Sequence, residues 1–494
     1  MLKSTIAGHG PASRNLYTGG SNCIGDGSAE CHRGNVDDCG PRIALLSPYS
    51  GNNFGDAAIQ DALISMLRQR LPSAEFSGIT LNCRNFSERH SRRAFALIAT
   101  DRPFYGMSRD SSVSADSDEA RGSGNAGASQ RVFRHWRDLV VALPLAGRAM
   151  RWLGRAVRTL RNEIRHSIAG YEFISRHDLL IASGGGQLDE EWGGPWGHPY
   201  ALLKWALLAR MARVPFAIAS VGAGKLKHTV SRRFLSIALR AASYRSYRDK
   251  NSRAAASTFF PTAASDAVVP DLALNLPTPG LAVSVHPLAP TGATVAISPI
   301  AYARPGSWPR AESPVYERYL KQMADVVHAL LARDSTVVLV RSSISDVTTI
   351  NELLQALDPQ ARRAIDRRIL VPTVAGWRDL VDVLMSTDLL IASRLHSAIL
   401  NFVSSKPTIA ISFDAKVDWL MKDLDQAEYL LQIETFTAAE VMDLADRALQ
   451  RTDAIRAKID DYRSRSTPAF DKQFDELASL ALGRKRLAQK GKVA

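Results

Sequence analysis

The chain has 494 residues, 46% of them hydrophobic, which is enough for two cored domains rather than one. Its formal charge of +13 and sequence pI near 9.7 imply anionic company: phosphorylated small molecules, acidic glycans, lipid headgroups or nucleic acid. Four cysteines exclude a disulfide scaffold at this length, so a reduced, cytosolic compartment is expected.

The long uncharged stretch 272–303 is broken by Pro277, Pro279, Pro287 and Pro290, and the apolar region 201–221 is interrupted by Lys204, Arg210 and Arg213. Neither reads as a transmembrane helix. The N-terminus offers no apolar signal-peptide core, which argues against secretion. A nucleic-acid partner is not expected, because only net charge favours it and no stacking motif or basic groove pattern accompanies it.

Residues 1–40 are rich in Gly, Ser and Asn without periodicity and read as a disordered leader. Within it Cys23, Cys31 and Cys39 recur at eight-residue spacing, which matches no common zinc pattern. A buried strand is predicted at Arg42–Ser47, an amphipathic helix from Asp56 to about Arg70, and a second strand at Ala74–Leu81. Residues 84–176 read as an insertion containing a mobile Ser/Asp/Gly-rich loop, 108–130, and a basic amphipathic helix. In that helix Arg148, Arg151, Arg155 and Arg158 recur every three or four residues, while Trp152, Leu153, Val157, Leu160 and Ile164 face elsewhere. Such a helix either lies on an anionic membrane surface or packs its apolar side on the protein.

From Asp178 onward strands and helices alternate. Strands are predicted at Leu179–Ser183, Pro215–Ser220 and Ser243–Tyr247, then at Val295–Pro299, Thr336–Arg341, Arg368–Val371, Leu389–Ala392 and Thr408–Ser412. That rhythm implies right-handed crossovers and parallel sheets. The expected architecture is α/β: two doubly wound, Rossmann-like domains facing a central cleft. The N-terminal one spans 41–275 and the C-terminal one 290–470, with 471–494 left as a basic tail.

Four stretches carry chemistry. Gly51-Asn52-Asn53-Phe54-Gly55-Asp56 hands a strand to a helix, where free N–H groups and flexible backbone suit an anion; Asp56 as a helix cap is the alternative. Gly184-Gly185-Gly186 follows a buried strand in the same way, with Asp189, Glu190 and Glu191 behind it. Trp192, Trp196 and His198 are candidates for an adjacent sugar-stacking lip, loop packing being the alternative. Arg248, after a strand, reaches an anion in the cleft or pairs with Asp249. Finally, Leu389–Ala392 delivers Arg394 and His396 to a strand-to-helix turn, a fixed cation beside a titratable imidazole, and Lys416 ends the next strand on the same edge.

Taken in order, Asn53-Phe54-Gly55-Asp56, the strand with Gly184-Gly185-Gly186, Arg248-Asp249 with Ser252, Pro270-Asp271, Arg394-Leu395-His396 and Phe413-Asp414 with Lys416 resemble the polysaccharide pyruvyl transferase family. The resemblance spans roughly residues 42–435 and implies a fold like that of two-domain GT-B glycosyltransferases. It also implies phosphoenolpyruvate bound between the domains, with pyruvyl transfer to sugar hydroxyls, usually as a cyclic ketal, and release of phosphate. By motif position His396 is then the general acid/base with Arg394 beside it, and Arg394 and Arg248 hold the donor's phosphate and carboxylate. The donor site is completed by Asn53, Gly55, Asp56, Gly184, Gly185, Gly186 and Lys416, and Trp192 and Trp196 meet the acceptor. The acceptor is expected to be a cell-surface or exopolysaccharide glycan or its lipid-linked precursor, met at the inner face of the plasma membrane. No metal or other cofactor is required. A GT-B glycosyltransferase using a nucleotide sugar, and a non-catalytic glycan- or membrane-binding protein, remain the alternatives.

Overall fold

The structure is a computed structural model, and it describes residues 40–99, 144–191, 193–277, 292–306 and 312–493. The leader up to residue 39 with its three cysteines, the loop 108–130 and Trp192 lie outside the described residues, as do the side chains of Arg148 and Arg151.

Two parallel sheets carry the chain. The first contains β1 (Arg42–Leu46), β2 (Glu75–Thr80), β3 (Ala94–Ala96), β4 (Leu179–Ser183), β5 (Phe216–Val221), β6 (Tyr244–Tyr247) and β7 (Ala267–Val268), in the order β3-β2-β1-β4-β5-β6-β7. The second contains β8 (Thr294–Ser298), β9 (Thr336–Leu339), β10 (Ile369–Leu370), β11 (Leu389–Ala392), β12 (Thr408–Ser412) and β13 (Leu430–Gln432), in the order β10-β9-β8-β11-β12-β13. The central strands are covered on both faces, so they read as continuous apolar runs such as Leu389–Ala392 rather than alternating ones. Strand order reverses between β1 and β4 in one sheet and between β8 and β11 in the other. Those two points, at the carboxyl ends of the strands, are where doubly wound sheets bind ligands. The architecture is the expected α/β pair of doubly wound domains.

Helix Phe54–Arg70 begins two residues before the predicted start because Asn53, not Asp56, is its cap: the Asn53 side chain accepts from the Gly55 N–H at 2.9 Å. The helix buries Ile59, Leu63 and Leu67 and packs against helices Trp377–Met385 and Leu395–Val403 of the second domain. Accordingly one apolar core runs across both sheets, from Ile43 and Leu63 to Leu384 and Ile391.

Two expectations are corrected. The segment 84–176 is not wholly an insertion, because helix Cys83–His90 and strand β3 complete the edge of the first sheet before the chain leaves it. Strand β3 has only three residues and carries little pattern, and β7 and β13 escaped for the same reason, whereas the equally short β10 falls within the predicted strand Arg368–Val371. Residues 471–494 are not a loose basic tail either. A single helix, Thr452–Val493, leaves the second domain and returns to the first, burying Phe470, Phe474, Leu477 and Ala481. Gln473 Nε2 donates to Ser220 Oγ at 3.1 Å while its Oε1 accepts from Ser246 Oγ, and Arg70 pairs with Asp471 (2.7 Å) and Asp475 (2.6 Å). Among the described residues no helix is long and apolar enough to cross a membrane.

Candidate functional site

The two switch points face each other. On the first domain, the loop after β1 runs into the Asn53 cap. Its backbone is tied across to the loop after β9: Phe54 N donates to Ser342 O at 2.9 Å, and Ile344 N donates to Asn52 O at 3.0 Å. With the capping task taken by Asn53, Asp56 turns inward and is half-buried in the cleft. Gly55 lets helix and cleft close on each other, since a Cβ there would stand 1.9 Å from His396 Cγ. After β4, Gly184 and Gly185 take φ of +47° and +66°, a left-handed turn that side chains rarely tolerate. The turn passes beside Asp56, whose Oδ1 would lie 3.6 Å from a Cβ on Gly185.

Arg248 leaves β6 and lies flat over Gly222, where any Cβ would meet its Cζ at 2.8 Å. It is 7% exposed, 3.4 Å from Asp249 and 3.6 Å from Asp271. Its Nη2 is buried without a hydrogen-bond partner among the described residues. Asp249 does two things: it neighbours Arg248, and it caps helix Lys250–Ser257 by accepting from Ser252 N at 2.6 Å.

On the second domain, β11 ends at Ser393, and Arg394 is the first residue outside helix Leu395–Val403. The Arg394 guanidinium turns to its own domain. Nε donates to Asp346 Oδ1 at 3.0 Å, Nη2 reaches the same oxygen, and Nη2 also meets Ser345 Oγ at 3.1 Å. Asp346 is fully buried and also accepts from Ser342 N and Ser343 N, at 3.1 and 2.9 Å. One carboxylate therefore fixes both the arginine and the loop that touches the first domain. His396, the second residue of the helix, rests against Gly55, and its Nε2 is buried without a hydrogen-bond partner among the described residues.

Between the domains lies a cavity lined by Arg248, Asp271, Leu395 and Lys416, with Asp423 and Tyr462 closing it. Its accessible volume of about 20 Å³ has room for one or two waters. Carboxylates outnumber cations along its lining, and in and around it burial raises the carboxyls of Asp56, Asp189 and Asp423. Burial pushes Asp56 up, and Asp271 adds to the shift while His396 and Arg248 oppose it. Burial pushes Asp189 up to about 6 against the pull of Lys416, and burial together with Asp249 raises Asp423. Clusters of shifted groups in a cleft mark sites of proton exchange.

Other residues singled out from sequence lie elsewhere or do other work. His198 is buried, its Nε2 lies 2.8 Å from Gln187 Oε1, and burial pushes it down to about 4, so it is a neutral structural imidazole. Glu190 accepts from Ser231 Oγ and from the Lys227 and His228 N–H groups at the start of helix Thr229–Ala241, which is a packing role. Trp196 stands 57% exposed beside Phe234, at 5.4 Å between ring centroids, and Tyr200; it is not among the residues lining the cavity. Gly186 approaches Asp189, whose Oδ2 would lie 2.7 Å from a Cβ there. Asp346, Asp423 and Tyr462 escaped sequence reasoning. Asp346 looks like an ordinary acidic helix start, and Tyr462 arrives from a helix with no motif at all.

Comparison with known proteins fits this frame. A UDP-N-acetylglucosamine 2-epimerase superposes with a TM-score of 0.50 at 9% identity, covering 85% of this chain and 89% of its own. The UDP-GlcNAc 2-epimerase of Methanocaldococcus jannaschii gives 0.47 at 8% identity, covering 83% and 92%. The E. coli ADP-heptose LPS heptosyltransferase II gives 0.39 at 12%, covering 83% and 99%. At 9% identity, the first of these speaks to the fold alone. No curated protein matches the chain significantly by sequence. The family model for polysaccharide pyruvyl transferase matches residues 53–414, from the Asn53 cap to Asp414, and takes in both switch points. The chain is a transferase and belongs to the polysaccharide pyruvyl transferase family.

Proposed function

We propose that this enzyme moves the pyruvyl group of phosphoenolpyruvate onto sugar hydroxyls of a cell-surface or exopolysaccharide glycan, or of its lipid-linked precursor, as a cyclic ketal. The observation that carries the reading is the meeting of the two switch points: His396 with an unpartnered Nε2 against Gly55 and Asp56, and Arg248 with an unpartnered Nη2 beside Lys416. A buried donor without an acceptor costs about 1–3 kcal/mol, which an oxygen of an anionic substrate recovers on binding. Arginine suits such an oxygen because its planar fork matches carboxylate and phosphate alike.

In this scheme the acceptor's first hydroxyl adds through oxygen to C2 of the donor while C3 takes up a proton and becomes a methyl group. A second hydroxyl then displaces phosphate from C2 and closes the ring. The two hydroxyl protons end on C3 and on the departing phosphate, so nothing else is consumed. His396 relays these protons, and the raised carboxyl of Asp56 beside it helps hold them in the cleft. Arg248 and Lys416 take the donor's anionic groups. Arg394, its fork turned to Asp346, supplies positive charge at the head of the helix that bears His396. The scheme uses this chain's own side chains and calls on no cofactor.

The test is phosphate release from phosphoenolpyruvate against a panel of lipid-linked sugars. Release should depend on the acceptor and fall about 10²- to 10⁴-fold in His396→Ala. Unchanged turnover in that variant removes His396 from the chemistry. Protection of the cleft by a nucleoside diphosphate and not by phosphoenolpyruvate would instead point to glycosyl transfer.

A further inference from the structure

The helix Pro144–Ser175 is anchored on one side only. Along its inner face Ile174 is fully buried, and Gly170 presses so close to Trp205 and Leu208 that a Cβ would lie 3.1 and 3.2 Å from them. Glu163 Oε1 accepts from Lys204 Nζ at 2.8 Å and from Tyr200 OH at 3.0 Å, and His166 Nε2 lies 2.9 Å from the Ala96 carbonyl oxygen. The opposite side carries Leu153, Val157, Leu160, Ile164 and Ile168, spaced by four, three, four and four residues, which is one helical stripe. All five are 52–62% exposed, and Trp152 at the outer end is 70% exposed. At 1.5 Å per residue the stripe runs for about 22 Å. A fold that buries leucines, isoleucines and valines in one continuous core leaves these five uncovered by any described residue.

The flank of the stripe chooses its partner. Arg158, Arg161 and Arg165 are exposed and run alongside it, with Arg155 beyond. Between residues 145 and 171 the sequence holds a single acidic residue, Glu163, and that one is engaged by Lys204 on the inner face. A second copy of the chain laid on this stripe would bring two rows of arginine together, like charge on like. An anionic lipid surface offers the reverse: acyl chains for the apolar stripe and phosphate for the guanidinium row, with the tryptophan at the boundary.

We propose that helix Pro144–Ser175 docks the enzyme on an anionic lipid surface, its Leu153–Ile168 stripe lying in the headgroup boundary. The inference stands on this helix and is independent of the donor chemistry, so it survives or fails apart from the catalytic reading.

Flotation of the full-length protein with vesicles of equal parts phosphatidylglycerol and phosphatidylcholine tests it. The wild-type protein should float with these vesicles, be released by high salt, and stay behind with pure phosphatidylcholine. The double variants Leu160→Asp/Ile164→Asp and Arg158→Glu/Arg161→Glu should each partition at least about tenfold less. Their circular dichroism and unfolding midpoints should not change, because the altered side chains are exposed; Val157→Asp provides a single-site version. Wild-type protein that stays lipid-free at low salt, variants that float as well as wild type, or equal capture by neutral vesicles would each overturn the proposal. So would a dimer that the Asp variant splits with no loss of flotation. Slow amide exchange through 152–168 in the absence of lipid, unchanged when lipid is added, would mean that the protein itself covers the face and would overturn it too.

Discussion

At Gly55 a single added carbon would fall 1.9 Å from His396 Cγ, inside any tolerable contact, on the rigid start of a buried helix. Elsewhere in a helix a Gly→Ala change is neutral or stabilising by up to about 1 kcal/mol. Here we expect Gly55→Ala to push the imidazole aside and to lower kcat about 100-fold, since displacement of about 1 Å from a reacting centre has that effect. Steady-state kinetics alongside far-UV circular dichroism would check it; a variant with full kcat would mean that His396 is not held by this contact. Asp189 gives a second expectation, this time in pH. Burial lifts its carboxyl from the ordinary 3.8 to about 6, so the folded state binds the proton more tightly than the unfolded chain does. Its favourable contribution is therefore complete below about pH 4 and lost as pH rises through 6. Above that, ionised Asp189 costs roughly 3 kcal/mol for a shift of about two units. Urea unfolding of Asp189→Asn should show a higher midpoint than wild type at pH 8, with the difference shrinking toward pH 5. An equal gain at both pH values would show that the carboxyl is not shifted.

At the scale of elements, the C-terminal helix Thr452–Val493 ties the two domains together. It starts beside the second sheet, passes the cavity at Tyr462, and docks Phe474 and Gln473 on the first domain. Arg463 marks the crossing, with Nη1 donating to the Val403 carbonyl of the second domain at 2.9 Å and Nε to the Leu274 carbonyl at 3.2 Å. Phe474 is fully buried, so Phe474→Ala should lower global stability by about 3–5 kcal/mol. A basic tail free in solvent would give no change, and differential scanning calorimetry separates the two outcomes.

At the scale of the whole molecule, the cavity lined by Arg248, Asp271 and Lys416 has room for one or two waters, far less than a phosphorylated three-carbon acid needs. The ties between the domains are both apolar, through the core the two sheets share, and polar. They include the hydrogen bonds between the Asn52–Phe54 and Ser342–Ile344 backbones and the Asp61 carboxylate reached by Trp377 Nε1 at 2.8 Å and Arg378 at 3.0 Å. In the proposed reaction donor entry would therefore require the domains to part and re-close, a hinge motion common to two-domain ligand-binding folds. Because the bound donor would touch both domains, phosphoenolpyruvate at about 100 times its Kd should stabilise the fold by about 2.7 kcal/mol. Arg248→Lys keeps the charge but loses the fork, and should lose most of that gain at the same concentration. Equal thermal shifts in wild type and variant would remove Arg248 from the donor site.

The strands Leu179–Ser183, Leu389–Ala392 and Thr408–Ser412 were legible residue for residue, because a strand buried on both faces is written as an uninterrupted apolar run. The glycines after β4 and the Arg394-Leu395-His396 turn after β11 were legible for a related reason: strand ends at a switch point announce themselves where the apolar run stops. What the residues determined by themselves was therefore the α/β alternation, the paired domains and the loops that meet at the cleft. Tertiary structure alone decided the remainder. It turned Arg394 toward Asp346, gave the helix cap to Asn53 so that Asp56 could face His396, and brought Tyr462 back to the cavity from a segment that no motif marks. It also left the Leu153–Ile168 stripe uncovered. These outcomes depend on which groups compete for the same partner or the same surface once distant segments meet, and such competition leaves no local pattern in the chain.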